Sequence, residues 1–571
     1  VSTRDYGSEL RIQAGATTLE PSWAAQLDHG YVQTGTERPA CAWLRFRDPG
    51  HRFLSATGIT FGTRLTVSAT TASRPRPVRL FTGEVTALRT DIDGTGTFTV
   101  IQALDRAHRL CRGRVVAAYA EVGIEEVLSQ VARRAGLRAG TAEGPRSRFT
   151  HLTQPNVSDW DFLRALARQS GTRVVVDDSG TLSLRRPAPA TGAPDPRRGG
   201  ADGPDVLRAG VNLLSLRACL TSAGHAGRVE VRGWDVTGKK EVMGTARADG
   251  SKELALGTTP RRATSSFGDR TLTVTTMGVG TQADAESAAA SLAASVAAGF
   301  AELEAVASFS PRLRAGTPVA LAGIGEPFTG RYTPTEVRHV FDPLKGYQTW
   351  LSFGDGAPWP DPAQEAGGVE GHGSGQMPGL ATAVVSNVKH PQLPDQGWVK
   401  LRLPWLGKNY ETDWVRTVQA GGAGGGGMML PEVGDEVLIG FEQGRLERPF
   451  VLGGLYNGKD KPSPDAKVPL VASSGKVNRR SLADRSGDRI DLLDAAEGDR
   501  GLRLETGDGK LTVFLDRQQT AITITSGGTV EIKAEGPLTL SGKGITLDAG
   551  GEELGLKAGS VRIEANSVDI Q

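Results

Sequence analysis

The run Gly421-Gly422-Ala423-Gly424-Gly425-Gly426-Gly427 offers the close backbone approach of a phosphate cradle. A nucleotide site of that kind needs Gly-Lys-Ser/Thr leading into a helix. Neither follows, so the run is expected to be a flexible or tightly packed strand connection. The carboxylate pairs Glu125/Glu126 and Glu552/Glu553 could divide acid and base work on a glycosidic bond, but nothing beside either pair resembles a muramidase. The eight histidines form no HExxH and no pair four residues apart, which leaves a hydrolytic zinc site without ligands at helical spacing. Cys41, Cys111 and Cys219 are odd in number and far apart. They fit neither a disulfide framework nor a CxxC metal clip and are expected to be reduced, mostly packed thiols. No catalytic residue, metal or cofactor is expected.

Composition narrows the classes further. Lys plus Arg number 66 and Asp plus Glu 64, so no global positive field gathers phosphate backbones or anionic lipids, and nucleic acid is not an expected partner. The stretch 479–485, with Arg479, Arg480 and Arg485, is expected to be a solvated neck. No apolar run approaches the roughly 20 residues of a membrane span, and the first residues lack a hydrophobic signal core. A soluble chain made in the cytosol is expected. The 75 glycines and 31 prolines fall between alternating segments, the mark of many short strands joined by turns.

A length of 571 residues implies several cores. The alternating segments between Ile59 and Ile101, with a turn at Asp93-Gly94, predict hairpins of a small sheet or barrel. A helix follows with Ile124, Val127, Leu128 and Val131 on one face, stopped at Gly136. A second is capped by Ser158, buries Phe162, Leu163 and Leu166, and ends at Gly171. Val174–Leu184 reads as a hairpin laid on these helices. Residues 187–210 read as a mobile Pro/Gly-rich loop or linker. Beyond it an Ala-rich helix over 283–298 and flanking strands predict a second barrel with one crossover helix.

Toward the C-terminus, apolar pairs separated by one residue recur at Ile522/Ile524, Val530/Ile532, Leu538/Leu540, Ile545/Leu547, Leu554/Leu556, Val561/Ile563 and Val568/Ile570, at steps of 8, 8, 7, 9, 7 and 7. Each unit is a short strand with both apolar side chains on one face, a strip too narrow to bury itself. A solitary β-helix uses roughly 18 residues per coil and would close under three coils here. Three chains supplying one side each would form layers of six apolar side chains and leave no strand edge open.

Between Gly397 and Gly458 the chain reads Gly397-Trp398-Val399-Lys400-Leu401-Arg402-Leu403-Pro404-Trp405, then Asp413-Trp414-Val415-Arg416, then Pro431-Glu432-Val433-Gly434-Asp435-Glu436-Val437-Leu438-Ile439-Gly440-Phe441, and finally Gly453-Gly454-Leu455-Tyr456-Asn457-Gly458. The third segment predicts a turn shaped by Asp435 and Glu436 feeding a strand with Val433, Val437 and Ile439 on one face. These motifs resemble the OB-fold domain shared by VgrG spikes of type VI secretion, phage baseplate spikes and extracellular contractile injection systems. Upstream, Gln154 to Leu163 resembles a phage-hub pattern.

The resemblance implies a mainly β multidomain chain. Its expected parts are a first hub β-barrel (1–118), an α+β hub module (119–186), the linker (187–210), and a second hub β-barrel with a crossover helix (211–355). A second linker (356–379), an OB-fold β-barrel (380–458), a neck (459–489) and a trimeric intertwined β-helix needle (490–571) follow. Two barrels per chain in a trimer give six, matched to a hexameric tube. The gap after the OB fold is too short for a lysozyme domain. The expected partners are two further copies, a tail-tube initiator or inner tube protein, baseplate proteins, a PAAR-like tip protein over the last open layer, and effector cargo. The chain would be assembled into a particle that is released or delivered outside the cell. A glycan-cleaving β-helix or a sugar-binding fibre would need acidic or aromatic surface clusters, yet residues 490–571 contain no Trp, Tyr or His.

Overall fold

The computed structural model describes residues 8–569 apart from 72–73, 145–147, 199–202, 204, 224, 236–237, 239, 276–278, 355–378, 408 and 466. Strands make up 42% and helices 14%, so the chain is mainly β. Contacts divide it into two units, 1–455 and 456–571. The expected linker 356–379 lies almost wholly outside the described residues, as does the needle residue Ile570.

The first unit is built on an eleven-stranded antiparallel sheet. Its N-terminal strands include Leu27–Gly35, Cys41–Arg47, Arg64–Thr71, Arg74–Asp93 and Gly96–Leu104. They share this sheet with Leu213–Leu220, Ala301–Ser308, Glu336–Asp342 and Gly346–Phe353. The join is the pairing of Leu27–Gly35 with Glu336–Asp342, where His339 lies opposite Val32. Buried side chains stitch it: the Gln33 amide donates to Glu336, and Arg338 Nε donates to Gln33 Oε1 at 2.7 Å. Leu44, Phe46 and Val67 centre one core beside the seam, and Leu303, Leu321 and Leu351 another. The two halves expected as separate barrels therefore share a sheet, because their edge strands satisfy each other's backbone groups.

The strand Val115–Val122 pairs with Phe149–Val157 and opens the α+β module, a few residues before the expected boundary at 118/119. Helices Ile124–Arg134 and Asp159–Ser170 bury Val127, Leu128, Leu163 and Leu166 against the hairpin Arg173–Val176/Thr181–Arg185. Ser158 Oγ accepts the Asp161 N–H at 3.1 Å, and Gly171 closes the helix at a φ of 63°. The Ala-rich helix spans Gln282–Ala298 and lies on a separate three-stranded sheet. A Cβ on Gly244 of that sheet would strike the Ala285 carbonyl, so glycine permits the close approach.

The described residues of 187–210 pack rather than forming the mobile loop or linker expected from composition. Ala190, Ala193, Val206 and Leu207 are buried, and Val206–Arg208 pairs in parallel with Val319–Ala322. Small apolar residues between its prolines and glycines supply a packing face that composition alone hides.

Residues 380–454 form a five-stranded sheet in the order Lys400–Arg402, Leu380–Asn387, Glu436–Phe441, Pro449–Gly454, Arg416–Thr417, around Val385, Leu401, Val437 and Ile439. Tyr410 of this domain meets Thr153 of the α+β module, oxygen to oxygen at 3.2 Å.

In the second unit, Arg479–Ala483, Arg489–Asp494, Arg500–Glu505, Leu511–Asp516 and Ala521–Ser526 form an antiparallel meander. This corrects the expected neck and needle: residues 490–526 are hairpin-connected strands, not part of a uniform needle. Their turns are long enough for each strand to fold back on the one before it. No strand is assigned among the described residues beyond Ser526.

Candidate self-association surface

The meander has two unlike faces. Pairing sets Leu482 opposite Ile490, Ile490 opposite Leu504, Leu504 opposite Val513 and Val513 opposite Ile524, an apolar row across all five strands. A parallel row runs through Leu492, Leu502, Leu515 and Ile522. The other face carries Asp491, Leu493, Arg503 and Glu505, with Asp491 and Arg503 buried. Ser463, Pro464 and Val468 cover it: Arg479 donates to the Ser463 carbonyl at 2.6 Å, Arg489 to the Pro464 carbonyl at 2.8 Å, and Val468 packs on Leu493.

Carboxylate oxygens of Asp465, Asp491 and Glu505 approach within 4.8 Å of one another, a spacing a cation could use. Arg503 Nη2 already donates to Asp465 and, at 2.8 Å, to Asp491, and Arg489 Nε lies 3.4 Å from Glu505. Burial alone would raise the Asp465 carboxyl, but the N–H groups of Val468 and Lys467 and the Arg503 guanidinium hold it below its ordinary value. The Arg503 and Arg489 guanidiniums thus lie among the three carboxylates, and the cluster is an ion-paired network rather than a bare carboxylate cage for a metal.

From residue 527 onward the described residues bury almost nothing. Val530, Ile532, Leu538, Leu540, Ile545, Leu547, Leu554, Leu556, Val561, Ile563 and Val568 are all between 55% and 70% exposed, and Ile522 and Ile524 on the last meander strand match them. Among the described residues, the backbone–backbone hydrogen bond joining two residues beyond 527 is Glu552 N–H to Ala549 C=O. Extended backbone left unpaired is stable only in water or against another chain.

The OB motif residues have structural roles. Trp398 and Trp414 flank His390 with ring centroids 5.6 and 4.6 Å away. In the turn from Pro431, Asp435 Oδ2 accepts the Glu432 N–H at 2.8 Å, and Gly434, at a φ of 99°, donates to the Val385 carbonyl at 2.8 Å. Val437 and Ile439 are buried, but Val433 is exposed, contrary to the expected shared face, because it precedes the strand and sits in the turn. Glu436, Gly440 and Phe441 lie on that strand and Gly453 on its partner. Tyr456 is exposed, Asn457 Oδ1 accepts the N–H groups of Lys459 and Asp460, and Gly458 lies in the same turn. The glycine run is a tight hairpin tip, with Ala420 bridged to Gly427. Glu126 caps a helix by accepting the Gly123 N–H at 2.5 Å, while Glu125 sits beside it in the first turn.

The pairs 490/492, 502/504 and 513/515 alternate as the later pairs do but carry no regular step in the sequence. Their longer and uneven spacing hid them.

Residues 381–456 match the type VI secretion system/phage-baseplate injector OB domain, and residues 59–342 match the Alg8 N-terminal domain. Among curated relatives, the spike protein VgrG2a of Pseudomonas aeruginosa is 31% identical over 99 residues, 16% of this chain and 12% of the relative. VgrG5 of the same organism is 31% identical over 148 residues, 25% of this chain and 17% of the relative. The matched segments thus span a small part of those relatives' length. A Francisella PdpA-VgrG complex structure, half-lidded, aligns over 91% of this chain and 88% of its own at a TM-score of 0.54 and 9% identity, a likeness of fold. Residues 381–456 thus match the injector OB domain, short segments are similar in sequence to spike proteins of type VI secretion, and the chain is similar in fold over most of its length to the VgrG-containing complex.

Proposed function

We propose that this chain is the structural hub and spike of a contractile injection machine, working as a homotrimer. Three hubs, each with two strand-rich cores, would present six repeats of similar architecture to a hexameric inner tube or its initiator within a baseplate. The OB domains and the intertwined needle would be driven through a target envelope, carrying a PAAR-like tip protein or effector cargo. The particle would be assembled in the cytoplasm and delivered or released outward. Such a role needs no turnover, and the curated relatives are themselves named spike proteins.

One observation carries the reading: an extended segment with exposed apolar pairs and almost no backbone pairing of its own. At about 60 Å² of apolar area per side chain, its exposed pairs present roughly 700–800 Å², above the roughly 300–600 Å² of the largest patch on a typical monomer. Sedimentation equilibrium on the full chain tests it. Three copies of the 60.1 kDa chain are expected per particle, and a monomer at micromolar concentration would overturn the proposal.

A further inference from the structure

The outer face of the OB domain concentrates aromatic side chains that a purely mechanical spike does not need. Val399 and Val415 exchange backbone hydrogen bonds at 2.9 and 2.7 Å, and both are buried in the barrel core. Side chains alternate along a strand, so the flanking Trp398, Lys400, Trp414 and Arg416 stand on the outer face. His390 joins them from the loop between Leu380–Asn387 and Lys400–Arg402, its ring 5.6 Å from Trp398 and 4.6 Å from Trp414. The N–H groups of Gln392 and Leu393 donate to His390 Nδ1 at 3.2 and 3.0 Å, which puts the ring proton on Nε2 and fixes the imidazole beside both indoles. Three rings thus form one continuous surface. Trp398 and Trp414 are half-buried, and among the described residues no acceptor takes either indole N–H. The third tryptophan of the domain differs, since Trp405 Nε1 donates to the Thr382 carbonyl at 2.7 Å.

We propose that this surface binds a neutral saccharide chain. Its position is the first argument. OB barrels take oligosaccharides and oligonucleotides on the face of their second and third strands and on the loop joining the first strand to the second. Here those are Lys400–Arg402, Arg416–Thr417 and the segment carrying His390. Indole rings stack on the C–H face of a pyranose, and their N–H groups, with His390 Nε2–H, donate to its hydroxyls. Charge then selects between the two ligand classes, because a single-stranded nucleic acid needs a positive groove. Lys400 is paired with Glu411 at 3.7 Å, and Arg416 lies over the Phe450 ring at 4.7 Å. Arg402, exposed on the same face, is offset in charge by Asp413. Two carboxylates among these cations repel a phosphate backbone, whereas a sugar hydroxyl donates to them readily.

Ligand-observed saturation-transfer NMR and calorimetric titration of the full-length protein test the site. The probes are the β-linked tetramer of N-acetylglucosamine and cellotetraose, with an oligothymidylate as the counter-probe. At least one sugar is expected to bind with a Kd of about 1 mM or tighter, and Trp414→Ala to weaken it roughly 10-fold or more. Trp405→Phe is expected to leave binding unchanged. Should Trp414→Ala lose the melting transition of the first unit, Asp413→Asn carries the test: it neutralises one carboxylate without touching the core, and is expected to weaken binding about threefold. Three results each overturn the proposal: neither sugar binds, binding survives both Trp414→Ala and Asp413→Asn unchanged, or the oligothymidylate binds more tightly than either sugar. None of these depends on how many copies associate, so they are distinct from the sedimentation result that tests the spike.

Discussion

The strands around Phe46 and the repeat around Leu540 alternate apolar and polar residues with equal clarity, yet only the first is closed by its own chain. Phe46 is fully buried and stacks on Phe53 with centroids 4.4 Å apart. Leu540 stays 63% exposed with no strand beside it. The difference lies in connectivity. In the hub, hairpins and a pairing across some 300 residues bring facing strands from one chain. In the repeat, no strand is assigned among the described residues beyond Ser526, and the apolar pairs recur with no facing strand of the same chain.

Alanine substitutions at these two positions test the contrast most strongly. In the proposed trimer, Leu540→Ala would remove three side chains from one shared layer, at about 2–5 kcal/mol each. It is expected to raise the concentration at which the assembly dissociates by orders of magnitude while leaving the hub melting transition in place. Phe46→Ala is expected to destabilise the first unit by about 3–5 kcal/mol at every protein concentration, without changing the oligomer. If Leu540→Ala alters neither quantity, the contrast is lost, since truncating an exposed leucine costs within about 0.5 kcal/mol.

A smaller effect separates the units by pH. His339 is fully buried, with Nδ1 2.6 Å from the Tyr347 hydroxyl and Nε2 3.0 Å from the Leu313 carbonyl. Burial, aided by the neighbouring Arg314 guanidinium, pushes its pKa down to about 3. Its folded value is depressed, so the unfolded chain binds the extra proton between the ordinary histidine value and about pH 3. The first unit should therefore lose stability as pH falls through that window, by at most about 1.4 kcal/mol per pH unit from this group. His339→Gln should flatten that slope in denaturant titrations of the first unit, and an unchanged slope would show that other groups dominate.

Much of the fold was legible because its signals are local. The Ser158 cap, the Gly171 stop, the Ala-rich helix and the turn at Asp435 each depend on a few neighbouring residues. The pairing of Leu27–Gly35 with Glu336–Asp342 was not legible, since Gln33 and Glu336 carry no mark of each other in sequence. Packing of 187–210 was hidden because proline and glycine read as mobility whether or not alanines and valines between them find a surface. For the candidate surface, the repeat could be read from its regular steps. The meander face could not, because alternation states that a face is apolar and leaves open which face the chain covers itself. That choice was made by Arg479 and Arg489 reaching the 463–464 carbonyls.

Hydrogen exchange across residues 528–569 of the full-length protein tests the central claim most directly. One chain leaves these amides almost wholly unpaired, so exchange slowed by several orders of magnitude along the whole segment requires other copies to pair them, and this is the expected result. Exchange at the rate of an unfolded peptide throughout the segment, in a protein whose hub strands remain protected, would contradict it.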